Sequence, residues 1–141
     1  MANESNSLRV RLVSPERILF DTTADAVELP AKNGYMEVLY GHAPLLAELG
    51  AGDVRLHGGK DGGDQTYNVS WGFVEVLPDR VTILANDALK PEEIDVPRAQ
   101  QQLDRGQKEW AEAGDSEEKY AEALHRISEA EAKLATAQEK H

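Results

Sequence analysis

Residues 70–85 read SWGFVEVLPDRVTILA, and this stretch decides the fold. Apolar and polar side chains alternate over 73–77 and again over 81–84, which is the period of a half-buried β-strand. Between them, residues 78–80 (Pro-Asp-Arg) bring together a proline with a fixed φ and an aspartate that favours turns. The stretch therefore predicts two antiparallel strands joined by a tight turn.

The residues before this hairpin repeat the same pattern. Short apolar runs alternate with turn signals such as Lys32-Asn33-Gly34 and the glycine-rich loop 58–64. Strands are predicted at 8–12, 24–30, 35–39, 45–49, 54–56 and 65–70. Many short strands at regular spacing are typical of a sandwich or barrel rather than a parallel sheet. The predicted core consists of eight aliphatic residues: Val10, Leu12, Val27, Leu29, Val74, Val76, Val81 and Ile83.

The composition changes sharply near Pro91. Nine of the eleven glycines and nine of the ten valines precede it. The strong helix formers Ala, Glu, Gln and Lys dominate after it. The predicted fold class is α+β, with an N-terminal antiparallel β-sandwich or barrel at residues 1–87 and a C-terminal antiparallel α-helical hairpin at 88–141.

Helices are predicted at 95–113 and 116–138. Asp95 can cap the first one by accepting a free amide of the first turn. Gly114 ends this helix, and Asp115 with Glu118 has the spacing of a capping box that starts the next. A connection this short forces the helices to pack against each other. The two predicted apolar stripes are Val96, Ala99, Leu103, Gly106, Trp110 and Ala113, and Tyr120, Leu124, Ile127, Ala130, Leu134 and Ala137.

Both stripes are thin and rich in alanine, so little apolar area would hold the hairpin closed. Weakly held elements are where moving parts are found. A static hairpin is an equally good interpretation of the same residues.

The overall charge and composition exclude several classes of function. A net charge of −11 disfavours a nucleic acid as partner. The absence of cysteine excludes disulfides and Cys-ligated zinc, and the four histidines lack metal-ligand spacing. No window has the ~20 apolar residues of a transmembrane helix, so we expect membrane association only through a partner.

No catalytic constellation of acid, base and nucleophile is found, so we expect a non-catalytic protein. Gly58-Gly59-Lys60 lacks the remaining positions of a phosphate-binding loop. Asp95 and Arg98 could bind a nucleotide through the guanidinium group. On generic grounds a helix cap and a solvated arginine are the better interpretation.

Four basic residues of the second predicted helix, Lys119, Arg126, Lys133 and Lys140, are spaced seven apart. They therefore share a helix face, with a drift of about 20° per heptad. Two interpretations remain open. The face is either solvated and salt-bridged, through pairs such as Glu129 with Lys133, or a surface for docking an acidic partner.

Four fragments of the chain resemble the epsilon subunit family of rotary ATP synthases. They are residues 41–46 (GHAPLL), 70–76 with 81–85, 94–99 (IDVPRA), and 13–15 (VSP) followed by Phe20. They occur in the order and with the architecture of that family, from about Leu8 to Arg105.

This resemblance implies a central-stalk subunit at the cytoplasmic face of a bacterial inner membrane. The β-domain would bind the gamma subunit and the c ring through Gly41, His42, Ala43 and Pro44. The helical hairpin would block ATP hydrolysis when extended along gamma towards the alpha and beta subunits, through Lys119, Arg126, Lys133 and Lys140.

The resemblance also implies no required cofactor, with ATP as a weak regulatory ligand of the folded hairpin. Its candidate contacts are Ile94, Asp95, Arg98, Ala99 and Arg105. Leu89 replaces an acidic residue expected in members that bind ATP. A free-standing β-sandwich adaptor, which binds a partner through its hairpin, is the alternative from another functional class. A small enzyme is a third, against which the missing catalytic constellation counts.

Overall fold

The computed structural model describes residues 7–60 and 63–139, and the chain divides into two compact units between Lys90 and Pro91. The sequence-based boundary at 87–88 lies a few residues earlier, inside the last strand, which continues to Leu89. Each unit is described by itself below: the β-unit before the division and the helical unit after it.

The β-unit is one seven-stranded sheet with the order β2-β1-β7-β6-β5-β3-β4. Neighbouring strands are antiparallel, except that β1 and β7 are parallel. The strands are β1 (Leu8–Val13), β2 (Ile18–Ala24), β3 (Ala26–Ala31), β4 (Gly34–Leu39), β5 (Leu45–Gly59), β6 (Gly63–Leu77) and β7 (Arg80–Leu89). The predicted turns at 32–34 and 78–80 both connect antiparallel neighbours, as expected.

The two longest strands, β5 and β6, were each predicted as two shorter ones. Each runs for 15 residues, and the pairing between them keeps one register from Leu45 with Val76 to Leu56 with Gln65, before a shift between Leu56 and Gly59. Trp71 has a left-handed φ of 59°, and a Cβ on Gly72 would collide with the carbonyl oxygen of Leu84. The segments 50–53 and 71–72, which were predicted to lie between strands, therefore belong to continuous strands.

The sheet folds over a single aliphatic core. All eight predicted core residues are buried, and they pack with further members such as Leu8, Val38 and Val69. The ring centroids of Phe20 in β2 and Tyr67 in β6 lie 5.0 Å apart. The sandwich predicted from alternation is confirmed, and its core lies where the alternation placed it.

The helical unit contains a 3-10 turn (Pro91–Glu93) and two helices, α1 (Val96–Ala111) and α2 (Glu117–Glu139). Asp95 caps α1 as predicted, since its Oδ1 accepts the Arg98 amide at 3.1 Å. The predicted capping box at Asp115 is wrong. Ser116 caps α2 instead, with its Oγ accepting the Lys119 amide at 3.2 Å.

The reason for this shift lies in the connection between the helices. The Ser116 amide donates to the Ala113 carbonyl at 3.1 Å, which closes a turn around Gly114 and Asp115. Gly114 adopts a φ of 62° in this turn. Asp115 is a central residue of the turn, so the next residue becomes the cap.

The two helices pack against each other through small residues. Gly106 of α1 faces Ile127 of α2, and a Cβ at Gly106 would lie 2.8 Å from Ile127 Cγ1. Ala123 and Ala130 are buried, whereas Leu124, predicted to be in the stripe, is 51% exposed. The buried face is thus centred one residue before Leu124, because the close approach at Gly106 sets the rotation of α2.

Candidate functional site

The turn at 41–44 is firmly attached to the β-unit. The Gly41 amide donates to the Pro78 carbonyl at 2.6 Å, which ties this turn to the one between β6 and β7. Gly41 adopts a φ of 92°, a conformation that a side chain would strain. The His42 amide donates to Leu39 at 3.2 Å. The conformation of the turn is therefore fixed before any partner arrives.

Most of this turn is exposed, and the His42 ring is held by a hydrogen bond within the turn. Gly41, Ala43 and Pro44 are exposed, and His42 is half-buried. His42 Nδ1 lies 2.7 Å from the Ala43 carbonyl oxygen. Since a carbonyl only accepts, Nδ1 carries the proton in this contact, and Nε2 of the neutral ring can accept a hydrogen bond from a partner.

A row of exposed apolar side chains crosses the outer face of the sheet. Cross-strand pairing brings together Ile18 with Val13, Val13 with Leu84, and Leu84 with Phe73. Ile18, Leu84 and Phe73 are 55%, 52% and 54% exposed, and Val13 is half-buried. We call these four residues the apolar row. A contiguous apolar surface of this kind marks a protein-binding site.

Further contacts define the edges of the apolar row. Leu46, which is 72% exposed, pairs with Glu75 on the same face. Glu48 pairs with Phe73, and its carboxylate lies 3.6 Å from Lys32 Nζ. The surface therefore has an apolar centre and charged residues at its rim, as in many protein interfaces.

The apolar row is not among the sites predicted from the sequence. The signal was present, because large apolar residues stand side by side at Phe73-Val74, Ile83-Leu84 and Leu45-Leu46. In a strand, adjacent side chains point to opposite faces, so one member of each pair must lie outside the core.

A separate electrostatic cluster lies near the other end of β5. His57 Nε2 lies 3.1 Å from Glu28 Oε1, and its Nδ1 lies 3.6 Å from Asp64 Oδ2. The hydrogen bond with Glu28 raises the pKa of His57, and partial burial opposes this rise. The Gly58 amide, followed by the His57 contact, lowers the pKa of the Asp64 carboxyl.

The five candidate nucleotide contacts play different local roles in the structure. Ile94 and Ala99 are buried, and Asp95 is engaged as the helix cap. Arg98 and Arg105 are exposed on α1, with seven residues and about 10 Å of helix rise between them. Of the five candidate contacts, Arg98 and Arg105 are the ones that present a guanidinium group to solvent.

The predicted basic face of α2 is only partly exposed. Lys119 is exposed, whereas Arg126 Nη1 lies 2.7 Å from Glu109 Oε1 of α1. Lys133 is buried, with its Nζ 3.3 Å from Glu129 Oε2. The predicted pair of Lys133 with Glu129 is thus confirmed. Lys140 lies outside the described residues.

The helical unit contains a shallow cavity of about 260 Å³. It is lined mainly by charged side chains of both helices, including Glu109, Lys119, Glu122 and Arg126. Within residues 7–60 and 63–139, no group of three or more His, Asp or Glu residues could hold a metal ion. None of the described helices is long and apolar enough to cross a membrane.

Comparison with protein families gives one match over more than half of the chain. The β-sandwich domain model of the ATP synthase delta/epsilon chain matches residues 7–91. This range contains all seven strands and both the turn at 41–44 and the apolar row.

Curated relatives extend the similarity into the helical unit. An ATP synthase epsilon chain of Solibacter usitatus is 42% identical over 135 residues, which cover 96% of this chain and 98% of that protein. One from Koribacter versatilis is 39% identical over 110 residues, covering 78% of this chain and 76% of that protein.

Solved structures agree on the fold. A chain of the Euglena gracilis mitochondrial ATP synthase (OSCP/F1/c-ring) has a TM-score of 0.77 at 20% identity, covering 95% of this chain and 83% of that one. A chain of the Tetrahymena thermophila central stalk and c-ring has a TM-score of 0.66 at 18% identity, covering 96% and 99%. From the family model and the near full-length relatives, we conclude that this chain belongs to the family of ATP synthase epsilon chains.

Proposed function

We propose that the chain is a non-catalytic subunit of the central stalk of a rotary ATP synthase, where it couples the gamma subunit to the c ring. Its place is peripheral, at the cytoplasmic face of a bacterial inner membrane. The observation that carries this proposal is the apolar row, on the same β-unit as the fixed turn at 41–44. Membership of the epsilon family favours this function over a free-standing adaptor.

The apolar row suits a permanent contact with gamma. Four apolar side chains on four adjacent positions of β2, β1, β7 and β6 form a stripe on a rigid sheet. A subunit that transmits rotation must hold its neighbour without reorganising, and a sheet surface does this at low entropic cost. The turn at 41–44 adds a polar contact through His42, whose Nε2 is available to gamma or to a loop of the c ring.

The proposal is tested by binding to purified gamma subunit. Phe73→Glu places a charge within the apolar row, and the loss of a large aromatic interface residue costs roughly tenfold or more in affinity. We expect isothermal titration calorimetry to show this loss. Leu124→Glu changes a leucine with similar exposure in the helical unit and serves as the control, with unchanged affinity. Equal affinity of Phe73→Glu and the unaltered chain would contradict the assignment.

The helical unit is proposed as an inhibitor of ATP hydrolysis in the assembled enzyme. On extension of the hairpin, Lys119, Arg126, Lys133 and Lys140 would face acidic segments of the beta subunits, next to the alpha subunits. In the closed hairpin, Arg126 is paired with Glu109 of α1, and Lys133 is buried. Inhibition therefore requires the hairpin to open.

ATP is proposed as a weak regulatory ligand of the closed hairpin, bound chiefly by Arg98 and Arg105 because both are exposed. Ile94, Asp95 and Ala99 would form the base of the site. Titration calorimetry at millimolar ATP should give binding that is lost in Arg98→Ala and reduced in Arg105→Ala. Absence of heat would remove ATP as a ligand, and equal binding by all three proteins would remove Arg98 and Arg105 as its contacts.

A further inference from the structure

The contacts between α1 and α2 concentrate around Arg126. Its Nη1 donates to Glu109 Oε1 at 2.7 Å, and its carbonyl oxygen accepts from Gln102 Nε2 at 3.3 Å. The next residue, Ile127, occupies the site of closest approach opposite Gly106. One turn of α2 therefore holds the polar and the steric contacts together.

The surrounding interface contributes little apolar area. The fully buried aliphatic residues along the paired helices are Ala99, Ala123 and Ala130, and an alanine methyl group buries only a small surface. The larger Leu103, Ile127 and Leu134 are only half-buried. The ring contact of Trp110 with Tyr120, at 4.8 Å, lies near the connection between the helices. With so small an apolar contribution, the polar contact of Arg126 has a visible influence on whether the hairpin stays closed.

Glu109 is the centre of a three-residue charge cluster. Its Oε1 contacts Arg126, and its Oε2 lies 3.7 Å from Arg105 Nε on the next turn of α1. Loss of the Glu109 charge therefore removes an attraction between the helices.

We infer that the Glu109–Arg126 ion pair is a latch on the hairpin, and that the same Arg126 contacts the acidic partner once the hairpin opens. Closure and inhibition then compete for one guanidinium group. This inference rests on the proposed inhibitory function for its second half, while the latch itself concerns the helical unit alone.

The expected size of the effect follows from the exposure of the pair. The side chains of Arg126 and Glu109 are 46% and 32% exposed, so solvent weakens their attraction. Exposed pairs of this kind shift a two-state equilibrium by about two- to fivefold. An equilibrium between closed and open hairpins is sensitive to a shift of this size if both states are populated.

The latch is tested by measuring the distance between the helices in the full chain. The sequence contains no cysteine, so Gln101→Cys and Glu131→Cys, both at exposed positions, allow specific spin labelling. Double electron–electron resonance should show an open fraction about two- to fivefold higher in Glu109→Gln than in the unaltered protein. Arg126→Gln should open the hairpin by a similar factor.

Glu112→Gln is the matched control. This glutamate lies close to the end of α1, and its carboxylate makes no ion pair within the described ranges 7–60 and 63–139. It should leave the distances unchanged. The double variant Glu109→Arg/Arg126→Glu exchanges the two charges between the helices. It restores the ion pair and should close the hairpin again.

ATP hydrolysis by the assembled enzyme separates the two halves of the inference. Glu109→Gln should increase inhibition, because it frees Arg126. Arg126→Gln should open the hairpin without increasing inhibition, because the contacting group is gone. Unchanged distances in Glu109→Gln would overturn the latch, and equal inhibition by both variants would overturn the shared use of Arg126. Opening of the hairpin in Glu109→Gln with constant hydrolysis would support the latch and count against the proposed inhibitory function.

Discussion

At the scale of single residues, His57 makes the stability of the β-unit dependent on pH. It connects Glu28 of β3 with Asp64 of β6, and Asp25 lies beside the neighbouring Gly58. The contact with Glu28 raises the pKa of His57 above its ordinary value of 6.5. A raised pKa means that the folded state binds the proton more tightly than the unfolded state. The stabilisation is complete below the unfolded pKa and disappears as the pH rises through the folded pKa.

We therefore predict that His57→Gln destabilises the chain more at pH 5.5 than at pH 8.5. Urea unfolding of both proteins at the two pH values measures the difference in free energy. The pKa of the Asp64 carboxyl, which also contacts His57, is lowered, so this group stays charged over the whole range. A difference between the proteins that stays constant from pH 5.5 to 8.5 would show that the histidine is not protonated in these contacts.

At the scale of elements, the start of α2 provides a direct test of the corrected cap. Ser116→Ala removes the oxygen that accepts the Lys119 amide, which costs about 1 kcal/mol of helix stability. Asp115→Ala, the residue predicted from sequence, should cost clearly less because its side chain does not cap the helix. Thermal unfolding followed by circular dichroism at 222 nm compares the two. A larger loss in Asp115→Ala would restore the capping box.

The elements also show how far the sequence determines the fold. The alternation of apolar and polar side chains predicted eight core residues, and all eight are buried. It does so because a strand with one buried face has a period of two. It missed β2 (Ile18–Ala24), where Asp21, Thr22 and Thr23 break the period. This strand forms because β1 offers it a pairing edge, which is information from elsewhere in the chain.

Tertiary contacts explain the remaining differences. The segments 50–53 and 71–72 were predicted to lie between strands, but the pairing of β5 with β6 continues through them. Leu124 matched the helical period and is nevertheless exposed, since Gly106 fixes which side of α2 faces α1. For the candidate site, sequence similarity indicated the turn at 41–44. The apolar row required the strand register, which joins residues far apart in the sequence.

At the scale of the whole molecule, the two units have separate roles in the proposed function. The β-unit is rigid, with an apolar row and a fixed turn for permanent contacts. The helical unit is held by small side chains and by the Glu109–Arg126 pair, as suits a part that opens. The net charge of −11 is spread over both units, so the basic residues of α2 stand out against an acidic background.

The central claim is that this chain couples gamma to the c ring, and ATP-driven proton pumping tests it most directly. Membrane vesicles that contain the enzyme without this chain are supplied with the unaltered protein, with a Phe73→Glu and His42→Asp double variant, or with Leu124→Glu as control. We predict that the unaltered chain and the control restore proton pumping per ATP hydrolysed, and that the double variant restores at most about a tenth of it at equal concentration. Full pumping with the double variant, or pumping that is independent of the chain, would contradict the account.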